Sequence, residues 1–139
     1  MPTIGVGIYG AGDPLRSVTQ CGGASLLRNV TDPGSPALTE TNYSVFAPPL
    51  SATDSLGRAY SHLGDVAGDG GFAMALGAYQ YGAGATPAQR SFGAVWVVFY
   101  AGSPLAAVRA TPLSAATEPE LNAFATAGVL HFGRAAAGC

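Results

Sequence analysis

The groups able to do chemistry in this chain are few: two histidines, eight acidic residues, six arginines and two cysteines among 139 residues, with no lysine. Ser61, His62 and Asp65 stand close together in sequence, as a nucleophile, a base and an orienting acid would. That arrangement needs its side chains on one side of the backbone, and a strand through Ser61 and His62 turns them to opposite faces. His62 is therefore expected to be a surface or partly buried histidine bonded to backbone, and His131 has no evident catalytic companion. Gly5-Val6-Gly7-Ile8-Tyr9-Gly10 has a nucleotide-loop glycine spacing, but neither the helical pattern nor the later acidic partner that such a loop requires follows it. Cys21 and Cys139 show no metal-site spacing and leave one disulfide, between themselves, as an open pairing. The reading is non-catalytic.

Composition narrows the alternatives. Charged residues make up 10% of the chain and the net charge is −2, so there is no broad basic surface to neutralise a nucleic-acid backbone. Twenty glycines and ten prolines are interspersed with apolar runs, which reads as many short strands joined by tight turns. None of those runs approaches the roughly 20 apolar residues that span a bilayer. Met-Pro-Thr-Ile-Gly at the start lacks the basic and apolar regions of a secretory signal. Asn29 and Asn42 each open a glycosylation sequon, relevant only in a chain exported by a cell that glycosylates.

The elements come from an internal repeat. Gly7, Tyr9, Gly12 and Gly23 recur at one constant offset as Gly77, Tyr79, Gly82 and Gly93, and Leu56-Gly57-Arg58-Ala59 recurs at a slightly longer one as Phe132-Gly133-Arg134-Ala135. Repeats on this scale are supersecondary units that pack on one another. The better copy carries four strand signals, at Arg58 to Val66, Phe72 to Tyr79, Gly93 to Tyr100 and Leu105 to Thr111, separated by Gly-, Ser- and Pro-bearing turns. Residues 31–49, with four prolines, read as an extended loop with a strand at Tyr43 to Ala47. Thr117 is the expected N-cap of a short helix, with Glu120 completing a capping box. The organisation expected is one domain: a partial blade and connecting loop over 1–55, the best-defined blade over 56–113, and a connector leading into a next repeat over 114–139.

The run from Gly57 through Asp65-Val66-Ala67-Gly68-Asp69-Gly70 into Phe72 to Tyr79, followed by Phe92-Gly93-Ala94, resembles the FG-GAP repeat of integrin α-subunits and many microbial surface proteins. Leu56-Gly57 and Phe132-Gly133 match its Phe-Gly element, and Gly77-Ala78-Tyr79 its Gly-Ala-Pro turn. The resemblance implies an all-β fold of antiparallel four-stranded blades belonging to a β-propeller, here about two of them. It also implies a calcium loop, in which Asp65 and Asp69 match side-chain ligands and the Gly71 carbonyl supplies a backbone oxygen, while Ala67 and Ala73 stand where further ligands belong. The residues alone support another role for the same acids: accepting bonds from turn N–H groups while Gly68 and Gly70 take positive φ.

The function expected is an extracellular or cell-surface module that binds a glycan or protein ligand through Tyr79, Gln80, Tyr81 and Arg90, aromatic and polar residues in predicted loops. The alternative is a structural subunit that completes its blades with copies of itself or with further blades, forming a ring, tube or filament.

Overall fold

The structure, a computed structural model, describes residues 3–8, 23–28, 37–39, 42–51, 54–82, 92–102, 106–126 and 132–134. It is mostly β. Strands β1 (Thr3–Ile8), β2 (Gly23–Arg28) and β3 (Ala37–Thr39) form one antiparallel sheet in that order. Strands β4 (Leu56–Gly64), β5 (Phe72–Ala78), β6 (Ala94–Ala101) and β7 (Ala106–Ser114) form a second, a four-stranded antiparallel meander. A short helix, α1 (Pro119–Thr126), follows. Among the described residues no helix is long and apolar enough to cross a membrane. Shifted by the offset that carries Gly7 onto Gly77, β1, β2 and β3 fall on β5, β6 and β7, so the sequence repeat is a repeat of strands in the same order.

Register sorts the second sheet into two faces. Tyr60, Leu76, Trp96 and Pro112 lie in one row and His62, Met74, Val98 and Ala110 in the next, whereas Ser61, Ala75, Val97 and Thr111 share the opposite face. β6 alternates buried and half-buried along its length, the period of a strand with one covered face. The cover is the connecting segment, which sends Tyr43, Phe46 and Leu50 onto Leu76, Trp96 and Val98. Trp96 is fully buried, with Phe46 edge-on at 5.0 Å and Tyr81 edge-on at 5.5 Å. Edge-to-face rings satisfy the aromatic quadrupole while filling the space densely.

Three local expectations change. The strand expected at Tyr43 to Ala47 is a 3₁₀ turn, Tyr43–Val45, because Asn42 draws the chain round: its Oδ1 accepts from the Ser44 N–H at 3.2 Å and the Ser44 hydroxyl at 2.6 Å. Its amide donates to the Ala107 carbonyl at 3.1 Å, pinning the turn to β7. The connecting loop also carries a strand, β3, which its prolines had masked. Thr117 does not cap the helix. It accepts from the Ser114 N–H at 3.0 Å and closes a turn, while Glu118 occupies the cap and Pro119 the first helical position, where its missing N–H costs nothing.

Beyond α1 the chain returns to the sheet. Phe132 forms a parallel bridge with Gly93, donates its N–H to the Phe92 carbonyl at 2.6 Å and stacks on the Phe92 ring at 5.8 Å, beside Leu121 and Ala115. The backbones come so close that a Cβ on Gly77 would strike the Gly133 carbonyl, one on Gly93 the Phe132 carbonyl, and one on Gly133 the Ala94 carbonyl. Backbone cannot give way as a side-chain tip does. Gly77→Ala and Gly93→Ala should each destabilise the protein by about 1–3 kcal/mol or more, the range of overpacking. Gly68→Ala, with open space around it but φ at +72°, should lose only the left-handed penalty of about 1–2 kcal/mol. Urea unfolding of the three variants checks the order.

Candidate functional site

The meander places the expected site residues at opposite ends of one sheet. β4 begins at Leu56 and runs to Gly64, the 65–71 loop turns the chain, and β5 returns it to Tyr79 and Gln80 beside the start of β4. The acidic loop and the tyrosine turn are therefore not brought together.

At the tyrosine end, β4 bulges. Leu56 pairs with Ala78 and Ala59 with Gly77, leaving Gly57 and Arg58 as extra residues, and Gly57 takes the left-handed φ of +83° that the bulge requires. The bulge turns Arg58 outward over the following turn. Its guanidinium donates to the Tyr79 hydroxyl at 3.2 Å and lies 5.1 Å from that ring's centroid. Gln80 is held beside them, its Oε1 accepting from the Ser55 hydroxyl at 2.9 Å. Tyr79 and Gln80 are half-buried and Arg58 is exposed, so a planar aromatic, a guanidinium and an amide share one accessible surface.

Two expected contacts are not part of that surface. Tyr81 is 3% exposed and belongs to the core against Trp96, since a turn closed by its own N–H on the Ala78 carbonyl at 3.0 Å folds it back under the sheet end. Arg90 lies outside the described residues. Arg58 takes its place as the charged group, a residue that the sequence marked only as part of the repeated Leu-Gly-Arg-Ala segment and the start of a strand.

Asp54 is a second residue that sequence reasoning missed. It is 3% exposed, its Oδ2 accepts from the Ser51 N–H at 2.6 Å, and Ser55 beside it has φ +59°. Burial pushes its carboxyl up to about 6, against a smaller downward pull from the Ser51 N–H. Burial also pushes the Tyr81 hydroxyl up to about 12, with the nearby Asp54 charge adding to it.

At the other end, Asp65 accepts from the Asp69 N–H at 3.1 Å and the Gly70 N–H at 2.9 Å, and Asp69 accepts from the Gly71 N–H at 3.0 Å. Gly68 and Gly70 have φ of +72° and +79°. These are the bonds of an acid-closed turn. A calcium ion would find here two carboxylates and the Gly71 carbonyl, short of the six to eight oxygens it takes, and no group of three or more His, Cys, Asp or Glu among the described residues is placed to hold a metal. The loop borders a shallow groove lined by Val66, Phe72, Phe99 and Val108.

His62 is exposed and packs at 5.1 Å on Phe72, on the face opposite Ser61. His131, Cys21 and Cys139 lie outside the described residues. Comparison with models of known families, with characterised proteins and with solved structures finds no match to this chain.

Two outcomes follow from these bonds. Because the folded state holds the Asp54 proton more tightly than the unfolded chain, stability should fall as pH rises from the ordinary carboxylate range through about 6, by roughly 2–3 kcal/mol in all. Asp54→Asn should flatten that fall in denaturant midpoints measured across the interval. In the loop, Asp65→Ala removes two accepted bonds and Asp69→Ala one, so the first should destabilise by about 1–2 kcal/mol and the second by about half as much, with calcium titration calorimetry reading any metal contribution separately.

Proposed function

We propose that this chain is a non-catalytic, propeller-type module of FG-GAP kind that works outside the cell or at its surface by binding a glycan. The observation that carries this reading is the Arg58–Tyr79 pair with Gln80 beside it. A sugar ring presents an apolar C–H face to an aromatic plane and hydroxyls to donors and acceptors around the rim. Tyr79, with Arg58 over one face of its ring, offers the rest of its aromatic surface, Arg58 donors and Gln80 an amide, and the side chains are pre-ordered by bonds to one another and to Ser55, which lowers the entropy lost on binding. A bulge on a rigid sheet end is a common place for such a surface.

A second reading, a structural subunit assembling with further copies into a ring, tube or filament, draws on a different observation. On the face away from the core, Val95, Val97 and Phe99 are only half-buried and Leu113 is 36% exposed, an apolar row of the kind that neighbouring sheets cover.

The test is a panel of immobilised oligosaccharides. Retention of at least one class is expected, with Tyr79→Ala weakening it about tenfold or more, equivalent to about 1.4 kcal/mol, and Gln80→Ala weakening it less, while both variants unfold as the parent does. Absence of binding across the panel, or a Tyr79→Ala variant that binds like the parent, overturns the glycan reading.

A further inference from the structure

We infer that the Gly77/Gly93 contact is one of two equivalent joints, and that each joint is a recognition notch for a segment of the form Phe-Gly or Leu-Gly that opens the next repeat. The filled joint is described above: Phe132 and Gly133 lie across Gly77 and Gly93, which lack the side chains that would hold them off. Phe132 settles on Phe92, Ala115 and Leu121, and Gly133 takes φ +82°. Aromatic burial supplies the affinity, and the left-handed glycine supplies the close approach that larger residues forbid.

The second joint follows from the repeat taken together with the placement of β4. The repeat sets Gly7 and Gly23, on β1 and at the start of β2, in register with Gly77 and Gly93. Leu56-Gly57-Arg58-Ala59 is the earlier copy of Phe132-Gly133-Arg134-Ala135, and Gly57 has φ +83°, nearly that of Gly133, while the Leu56 side chain belongs to the main core of the second sheet. The strand that opens with this segment, β4, lies against β1 and β2, the two strands carrying Gly7 and Gly23. The second sheet is thus keyed onto the first by Leu56-Gly57 as the segment after α1 is keyed onto the second by Phe132-Gly133. The occupant that fits a notch is the opening dipeptide of a following repeat, with its left-handed glycine against the cleared strands; at the filled joint the apolar side chain is seated on Phe92 as well.

This inference rests on the tandem-repeat part of the proposed function and not on its ligand, so loss of glycan binding leaves it standing. Gly5 is the internal control, because its counterpart in the later copy is Ala75. Gly7→Ala and Gly23→Ala are expected to lower the urea midpoint as strongly as Gly77→Ala and Gly93→Ala do, or to prevent folding, while Gly5→Ala folds with an unchanged midpoint. Phe132→Leu, which copies Leu56, should retain most of the stability that Phe132→Ala loses. A peptide covering residues 129–137, added to the full-length Phe132→Ala chain, should raise its unfolding midpoint by several degrees, and the same peptide with alanine for its phenylalanine and glycine should not. Gly7→Ala and Gly23→Ala tolerated as well as Gly5→Ala would overturn the second joint, and a folded Phe132→Ala chain indifferent to the peptide would overturn recognition at the first.

Discussion

The backbone of Gly133 lies against β5 and β6 at a separation that leaves no room for a β-carbon, and much of the architecture depends on that contact. A sheet face normally keeps its neighbours at side-chain distance, about 10 Å between layers. Where glycines clear the surface, main chain meets main chain and the crossing geometry is set by backbone atoms that cannot change rotamer. Phe132 then falls onto Phe92, and the connector through α1 closes over a small apolar cluster separate from the main core. Glycine is usually weak in a strand because it packs nothing and loses much entropy. Here its emptiness is what another segment occupies.

The main core has a different logic. It sits on one face of the four-stranded sheet beneath the 42–51 segment, with Trp96 held between the edges of Phe46 and Tyr81. Among the described residues, the Trp96 indole N–H is buried without an acceptor, a penalty of about 1–3 kcal/mol that the surrounding apolar burial has to exceed. Asp54 adds a second buried polar group at the same sheet end, and there burial is answered by a raised affinity for its proton. The surface carrying Arg58, Tyr79 and Gln80 thus stands on a well-packed base that encloses a titratable carboxyl.

Strand content was legible because the chain announces it twice, in composition and in repetition. β5 and β6 combine apolar runs, aromatic or β-branched residues and flanking glycines, and their expected and observed bounds nearly coincide. The Tyr43–Val45 turn was misread because an apolar, aromatic stretch looks the same whether it enters a ladder or lies across one, and Asn42 decided the matter through bonds made after the chain had turned. Thr117 was misread because its hydroxyl has two local uses, and the Ser114 turn claimed it before the helix began. Tyr81 carried every sequence mark of a loop contact, yet the turn its N–H closes on Ala78 folds it back under the sheet.

By itself the sequence determined that this is a β protein of repeated units, poor in charge, with glycines at fixed spacings and acids placed to close a turn. Those properties reside in residue type and periodicity, which local sterics translate directly into strands and turns. Only the tertiary structure decided what the spacings were for: that Gly77 receives Gly133 and Gly93 receives Phe132, that Arg58 meets Tyr79 across a bulge, and that Asp54 is enclosed. Each of these joins residues far apart in the chain or depends on which face of a sheet is covered, and neither distance nor cover is written in a residue's neighbours along the sequence.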